Sequence, residues 1–173
     1  MGRFFRAVLA VFCGSVLASG QPTLASTGGS FPDRILATHN SERIELGLQP
    51  LAWSDSLARE AADWAMVLAR EGGLRHASQY QRQSHGENLW MGSAGVYSVE
   101  IMVGAFLDER RHFRPGRFPD ISRTGNWTDA GHYSQVIWPR TRHVGCAMVT
   151  ADGMDFFVCR YDPGGNWIGE FVG

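Results

Sequence analysis

The sequence predicts an α+β domain, on three observations. Apolar residues recur at helical spacing through much of the first half. Glu87 to Met91 reads as a short strand between polar segments. In the C-terminal third, Val144 to Thr150 and Phe156 to Tyr161 are strand-like and joined by Ala151-Asp152-Gly153, the signature of a β-hairpin. Helices followed by an antiparallel hairpin give the class.

Ile35 to Leu46 carries Ile35, Leu36, Ile44 and Leu46 among polar residues, with Asp33 as N-cap and Gly47 and Pro50 as stops. A second helix opens at Ser54 or Asp55. Its Leu57, Ala61, Trp64, Ala65 and Leu68 share one face, and Gly72-Gly73 ends it. Met91 leads into a Gly-Ser-Ala-Gly turn, and Ser98 caps a third helix with a Val99, Met102, Val103 and Phe106 stripe that Phe113 continues. Glu109 falls on that stripe, three residues after Phe106. A carboxylate there sits at a cleft edge or is paired, or else lies at the stripe's margin beside an Arg. Arg110, Arg111, Arg114 and Arg117 read as a solvated face, with an anion-binding patch as the lesser alternative.

The chain has 173 residues, 44% apolar and 19% charged, enough for one globular domain with a core of its own. A net charge of −1 supplies no basic footprint for nucleic acid. Every basic residue is Arg, which excludes a Schiff-base lysine and a Walker A loop. Residues 1–25 read as a secretory signal peptide: Arg3 and Arg6 precede an apolar run from Ala7 to Ala18, and cleavage is expected after Gly20 or Ala25. That run is too short to span a bilayer, and Phe12 before Cys13 disfavours lipidation. No membrane span is predicted elsewhere. Residues 26–32 form a linker, and 33–173 the domain. Cleavage leaves fourteen basic and seventeen acidic residues, net −3. It also leaves Cys146 and Cys159, expected to be bridged in an exported protein. The hairpin brings them onto neighbouring strands, and closing so short a loop stabilises by roughly 3 kcal/mol.

Two segments carry more information than any periodicity. Gly131-His132-Tyr133-Ser134-Gln135-Val136-Ile137-Trp138, with Thr141 and Val144-Gly145-Cys146-Ala147, closely resembles the first signature of the CAP superfamily, the domain of cysteine-rich secretory, antigen-5 and pathogenesis-related proteins. Phe157-Val158-Cys159-Arg160-Tyr161-Asp162-Pro163-Gly164-Gly165-Asn166 resembles the second. The likeness extends back through Gly86-Glu87-Asn88-Leu89 to His39-Asn40, Arg43, Gly47, Leu51 and Trp53, and so covers about Ile35 to the C-terminus.

The resemblance implies an α-β-α sandwich with a small antiparallel sheet between helices. It also implies a cleft carrying His76, Glu87, Glu109 and His132. His76 and His132 would bind a divalent cation, zinc above all, with Glu87 and Glu109 close by. One departure stands at Phe106, a position where the family commonly has Trp. Lipid or another small apolar ligand is the partner the family suggests, for a secreted, extracellular or periplasmic binding module that is monomeric. The alternative is a metal-dependent hydrolase, peptidase or nuclease, using a metal-activated water with Glu87 or Glu109 as base. The four groups without metal could also work as acids and bases, or simply tie helices to the sheet.

Other candidates rank lower. His85 lies two residues before Glu87, so on a strand it would share that face. His39 serves the first helix, while His112 and His143 sit among arginines and are expected at the surface. No Gly-x-Ser-x-Gly elbow occurs, and Ser134 reads as a backbone-bonding hydroxyl. Asn126-Trp127-Thr128 is a glycosylation sequon, meaningful only in a eukaryotic secretory pathway.

Overall fold

The computed structural model describes residues 28–173. The expected signal peptide, its cleavage sites and Cys13 lie outside the described residues. Helix α1 spans Phe31–Glu45 and starts earlier than its apolar pattern indicates. Its N-cap is Ser30, whose Oγ accepts from the Asp33 amide while Asp33 Oδ2 accepts from the Ser30 amide. Asp33 is therefore the reciprocal partner of a capping box three residues on, not the cap itself. Helix α2 spans Asp55–Glu71, capped by Ser54 and closed by Gly72 in the left-handed region at φ 71°.

Strand β1 is Ala52–Trp53, β2 Gly86–Ser93, β4 His143–Ala151 and β5 Met154–Asp162. They form one sheet in the order β1-β4-β5-β2. Three strands are antiparallel as expected, but β1 runs parallel to β4 at the far edge. The β4–β5 turn reduces to Asp152-Gly153, both at positive φ, as a tight hairpin requires. Cys146 and Cys159 stand directly opposite across it and are joined in a disulfide. A two-stranded ladder of β3 (Gly116–Arg117) and β6 (Phe171–Val172) lies apart.

The pleat of the sheet separates two cores. One face of β5 and β2 sends Phe156, Val158 and Leu89 against Ala61, Trp64, Ala65 and Leu68 of α2. The other sends Phe157, Cys159 and Tyr161 into a larger core. That core is closed by α1, by α3 (Val99–Leu107) and by α4 (Gly131–Val136). Helices thus cover both faces, giving the α-β-α sandwich. Among the described residues no helix is long and apolar enough to cross a membrane.

Two buried polar residues of α1 pin the larger core. Arg43 donates from Nε to Gln49 O (2.9 Å), from Nη1 to Val136 O and Trp138 O (2.8 and 3.0 Å) and from Nη2 to Thr141 O (3.1 Å). One guanidinium thereby serves four carbonyls, that of Gln49 after α1 and three from α4 and its exit. Burial, with Arg142 adding repulsion, pulls Arg43 down to about 10, so it stays charged at neutral pH. His39 donates from Nδ1 to Ile35 O and accepts at Nε2 from the Tyr161 hydroxyl, both at 2.9 Å.

Two outcomes follow for stability. Arg43→Met removes the donors and leaves buried carbonyls unpaired; urea unfolding should read a loss of at least about 3 kcal/mol. Burial also holds His39 neutral, down to about 4 from 6.5. The unfolded chain takes up that proton from about pH 6.5 downward and the folded chain does not until about 4. Stability is therefore full above that window and falls by about 3 kcal/mol as pH descends through it. A His39→Gln variant should lack this component when unfolding is compared at pH 7 and 4.5; an identical pH dependence would refute it.

Candidate functional site

The sheet's free edge is β2, and the site is built around its first residues. Because side chains alternate along a strand, Glu87 and Asn88 point to opposite faces. On the α2 face, Glu87 Oε1 accepts from His76 Nδ1 at 2.6 Å and from the Ala77 amide at 3.0 Å. On the other face, Asn88 Nδ2 donates to the His132 carbonyl at 3.1 Å and to the Tyr161 hydroxyl at 3.3 Å. Two neighbouring residues thus each hold one histidine-bearing segment from one side of the sheet.

His76 lies in the loop after α2. That loop is tied down by Trp64 Nε1 to Arg75 O and by Arg82, which donates to Ala77 O and His85 O. His132 is the second residue of α4 and stacks on Phe106, with ring centroids 5.2 Å apart. Phe106 therefore supplies an aromatic wall beside the imidazole.

Glu109 is not on α3. The helix ends at Leu107, and Asp108–Arg111 tighten into a 3-10 turn that carries Glu109 off the stripe and toward α4. There Oε1 accepts from His132 Nδ1 at 2.6 Å, and Oε2 from the His132 and Tyr133 amides at 2.8 and 3.1 Å. Its partner is thus an imidazole and a helix terminus rather than an Arg. The carboxylate caps α4, whose own N-cap, Ala130, has no side chain to do so. The neighbouring arginines are spent elsewhere: Arg110 on Glu42 and Glu45, Arg114 on Asp120, and Arg117 on the Gly169 carbonyl.

Both imidazoles consequently use Nδ1 for a carboxylate, and Nε2 has no hydrogen-bond partner among the described residues. His76, His132 and Glu87 line one cleft of about 830 Å³, and Gln79, Arg82 and His85 are among its other polar lining residues. Glu109 stands behind His132. Phe118, Trp127, Trp167 and Ile168 give the same cleft an aromatic and aliphatic lining, and Ile168 is 85% exposed. His85 precedes β2 rather than lying on it, yet repeats the arrangement: Nδ1 meets Glu60 Oε2 at 2.9 Å. Among the described residues no three His, Cys, Asp or Glu side chains converge closely enough to hold a metal ion together.

Sequence reasoning used Arg160 only as a signature letter. It lies opposite Glu87 in the ladder, is 1% exposed, and brings Nη2 within 3.0 Å of Glu87 Oε2. The pair is an ion contact with poor hydrogen-bond alignment, since Glu87 Oε2 and Arg160 Nε and Nη1 have no hydrogen-bond partner among the described residues. Burial lowers the Arg160 guanidinium from its ordinary value, and the Glu87 carboxylate opposes that. Ser134 is fully buried and bonds to Gly131 O and Asn166 Oδ1, so it is no nucleophile. His39 is buried and structural, His143 is exposed, and His112 is half-buried.

Comparison with known proteins agrees with the fold and gives the family. The family model described as the cysteine-rich secretory protein family, CAP, matches residues 36–161. Pathogenesis-related protein 1A of Nicotiana tabacum is 34% identical over 136 residues, covering 78% of this chain and 76% of that protein. Pathogenesis-related protein PR-1 of Medicago truncatula is 32% identical over 166 residues, covering 94% and 91%. Among solved structures, NaASP2 crystallised with Zn²⁺ superposes with a TM-score of 0.69 at 23% identity, over 85% of this chain and 87% of that one.

Glu109 joins the first turn of α4 to the 3-10 turn, so its removal should be felt in both. Glu109→Ala leaves two amides and an imidazole N–H without their acceptor. Thermal or urea unfolding should show a loss of about 1–3 kcal/mol, with hydrogen exchange accelerated at His132 and Tyr133. Unchanged exchange there would contradict the capping role.

Proposed function

Because the chain belongs to the cysteine-rich secretory protein family, CAP, we propose that it is an exported binding module. Its cleft takes up a divalent cation, zinc, on His76 and His132, and an apolar ligand against its aromatic lining. The observation that carries this reading is the shared state of the two histidines. In each, a carboxylate accepts from Nδ1, which fixes the tautomer and leaves the Nε2 lone pair available on a cleft-lining ring. That is how proteins commonly prepare imidazole for a metal.

The donor set fits zinc in kind, since neutral imidazole nitrogen is a preferred ligand. Two protein ligands make an incomplete shell that leaves room for a ligand from solution. Bound Zn²⁺ would supply positive charge and Lewis acidity in the cleft. Glu87 and Glu109 serve as orienting groups, each engaged by a histidine and by backbone amides. The hydrolase alternative finds no support there, because both candidate bases are already committed. Export is supported by the family, by the disulfide and by the N-terminal apolar run. Exposed Ile168, with Trp127 and Trp167, supports an apolar ligand.

Titration calorimetry with Zn²⁺ tests the metal. The wild type should bind, His76→Ala and His132→Ala should each weaken binding more than tenfold, and the double variant should abolish it without unfolding. Equal uptake by the double variant would remove the reading. For the apolar ligand, a fluorescent fatty acid should bind and quench tryptophan emission, and Ile168→Asp should weaken that binding severalfold.

A further inference from the structure

Arg160 is an expensive residue to keep where it is. A guanidinium buried among sheet and helix loses its hydration, and an ion pair seldom repays that with net stability. Its burial has a local cause. In the ladder Gly145, Arg160 and Glu87 stand in one row across β4, β5 and β2, on the face that α2 covers. A Cβ at Gly145 would come within 2.3 Å of the Ala58 amide nitrogen and 2.5 Å of the Ser54 carbonyl oxygen. Glycine there lets the first turn of α2 descend onto the sheet, sealing Arg160 beside it.

Having paid that cost, Arg160 spends its charge on one atom. Nη2 lies 3.0 Å from Glu87 Oε2, while Nε and Nη1 find no hydrogen-bond partner among the described residues. The Glu87 side chain is fully enclosed, whereas the His76 side chain that it holds is 57% exposed. The second arm is arranged differently. Glu109 is partly exposed and is held by two backbone amides, with no buried cation among its partners.

We infer that Arg160 is a positioning residue of the cleft. It holds Glu87 in place beneath the floor so that Glu87 Oε1 fixes the ring of His76, and it acts on that arm alone. This rests on the metal-binding reading for its consequence in zinc affinity, but not for its effect on the imidazole. Orienting groups behind a metal-binding histidine are worth 10- to 100-fold in affinity, so the loss should fall in that range.

The test uses the whole exported domain labelled with ¹⁵N at histidine. Long-range ¹H–¹⁵N spectra of the metal-free protein should show His76 and His132 each as a single Nδ1–H tautomer. In Arg160→Met, His76 should become a tautomer mixture while His132, an internal control, stays unchanged. Zinc affinity should fall more than tenfold, and Arg160→Lys should restore both readouts most of the way. Adding Arg160→Met to Glu87→Gln should cost no further affinity, because Arg160 acts through that carboxylate. A single His76 tautomer in Arg160→Met, or equal disturbance of His132, overturns the inference. So does a double-variant loss equal to the product of the single losses. If Arg160→Met does not fold, the double variant, which removes both buried charges, decides the matter: any zinc loss beyond that of Glu87→Gln is fatal. If the wild type takes up no zinc, the functional reading fails, and the tautomer spectra still decide this one.

Discussion

The alternation of side chains along β2 is the constraint on which the site depends. Glu87 and Asn88 are adjacent in the chain and therefore face opposite sides of the sheet. One gathers the loop after α2, and the other gathers α4. Two helical layers on opposite faces of the sheet are thereby brought to a common edge. The cleft forms there because β2 has no further strand beyond it. An edge strand is normally a liability, an unpaired row of amides and carbonyls. Here the first residues of that edge are covered by histidine-bearing segments.

The two histidine–glutamate arms reach the same hydrogen bond by different physics. His132 sits in the first turn of a six-residue helix that supplies its own carboxylate-binding amides, so Glu109 is stabilised by the terminus it caps. His76 sits in irregular chain with no helix terminus to offer. Its carboxylate is enclosed and is balanced by a buried guanidinium instead. The first arrangement is local and partly wetted. The second encloses its carboxylate beneath an exposed imidazole and reaches across two strands of the sheet.

Buried polar groups recur throughout the larger core for a related reason. Irregular chain from Val136 to Thr141 must pass close to the core, and its carbonyls need donors that no strand supplies. Arg43 fills that need from α1, and His39 with Tyr161 links the same helix to β5. The same polar contacts that let the loops run inward also fix where α4, and hence His132, is presented.

The class, the three longer helices, the hairpin and the facing cysteines were legible in the sequence, because each rests on local periodicity or on turn chemistry read over a few residues; α4, six residues long, is too short to show a period. The start of α1 was harder to read, since a capping box looks like any Ser-x-x-Asp until the helix forms. The four cleft residues came from likeness to a family and not from spacing. His76, Glu87, Glu109 and His132 lie on four separate segments, and no periodicity links them. That Glu109 leaves its helix for a tighter turn, that both Nδ1 atoms are committed to carboxylates, and that Arg160 lies beneath one of them emerged with the folded chain alone. Those outcomes depend on which segments the sheet brings face to face, and a strand's pleat acts on partners that can lie anywhere along the chain.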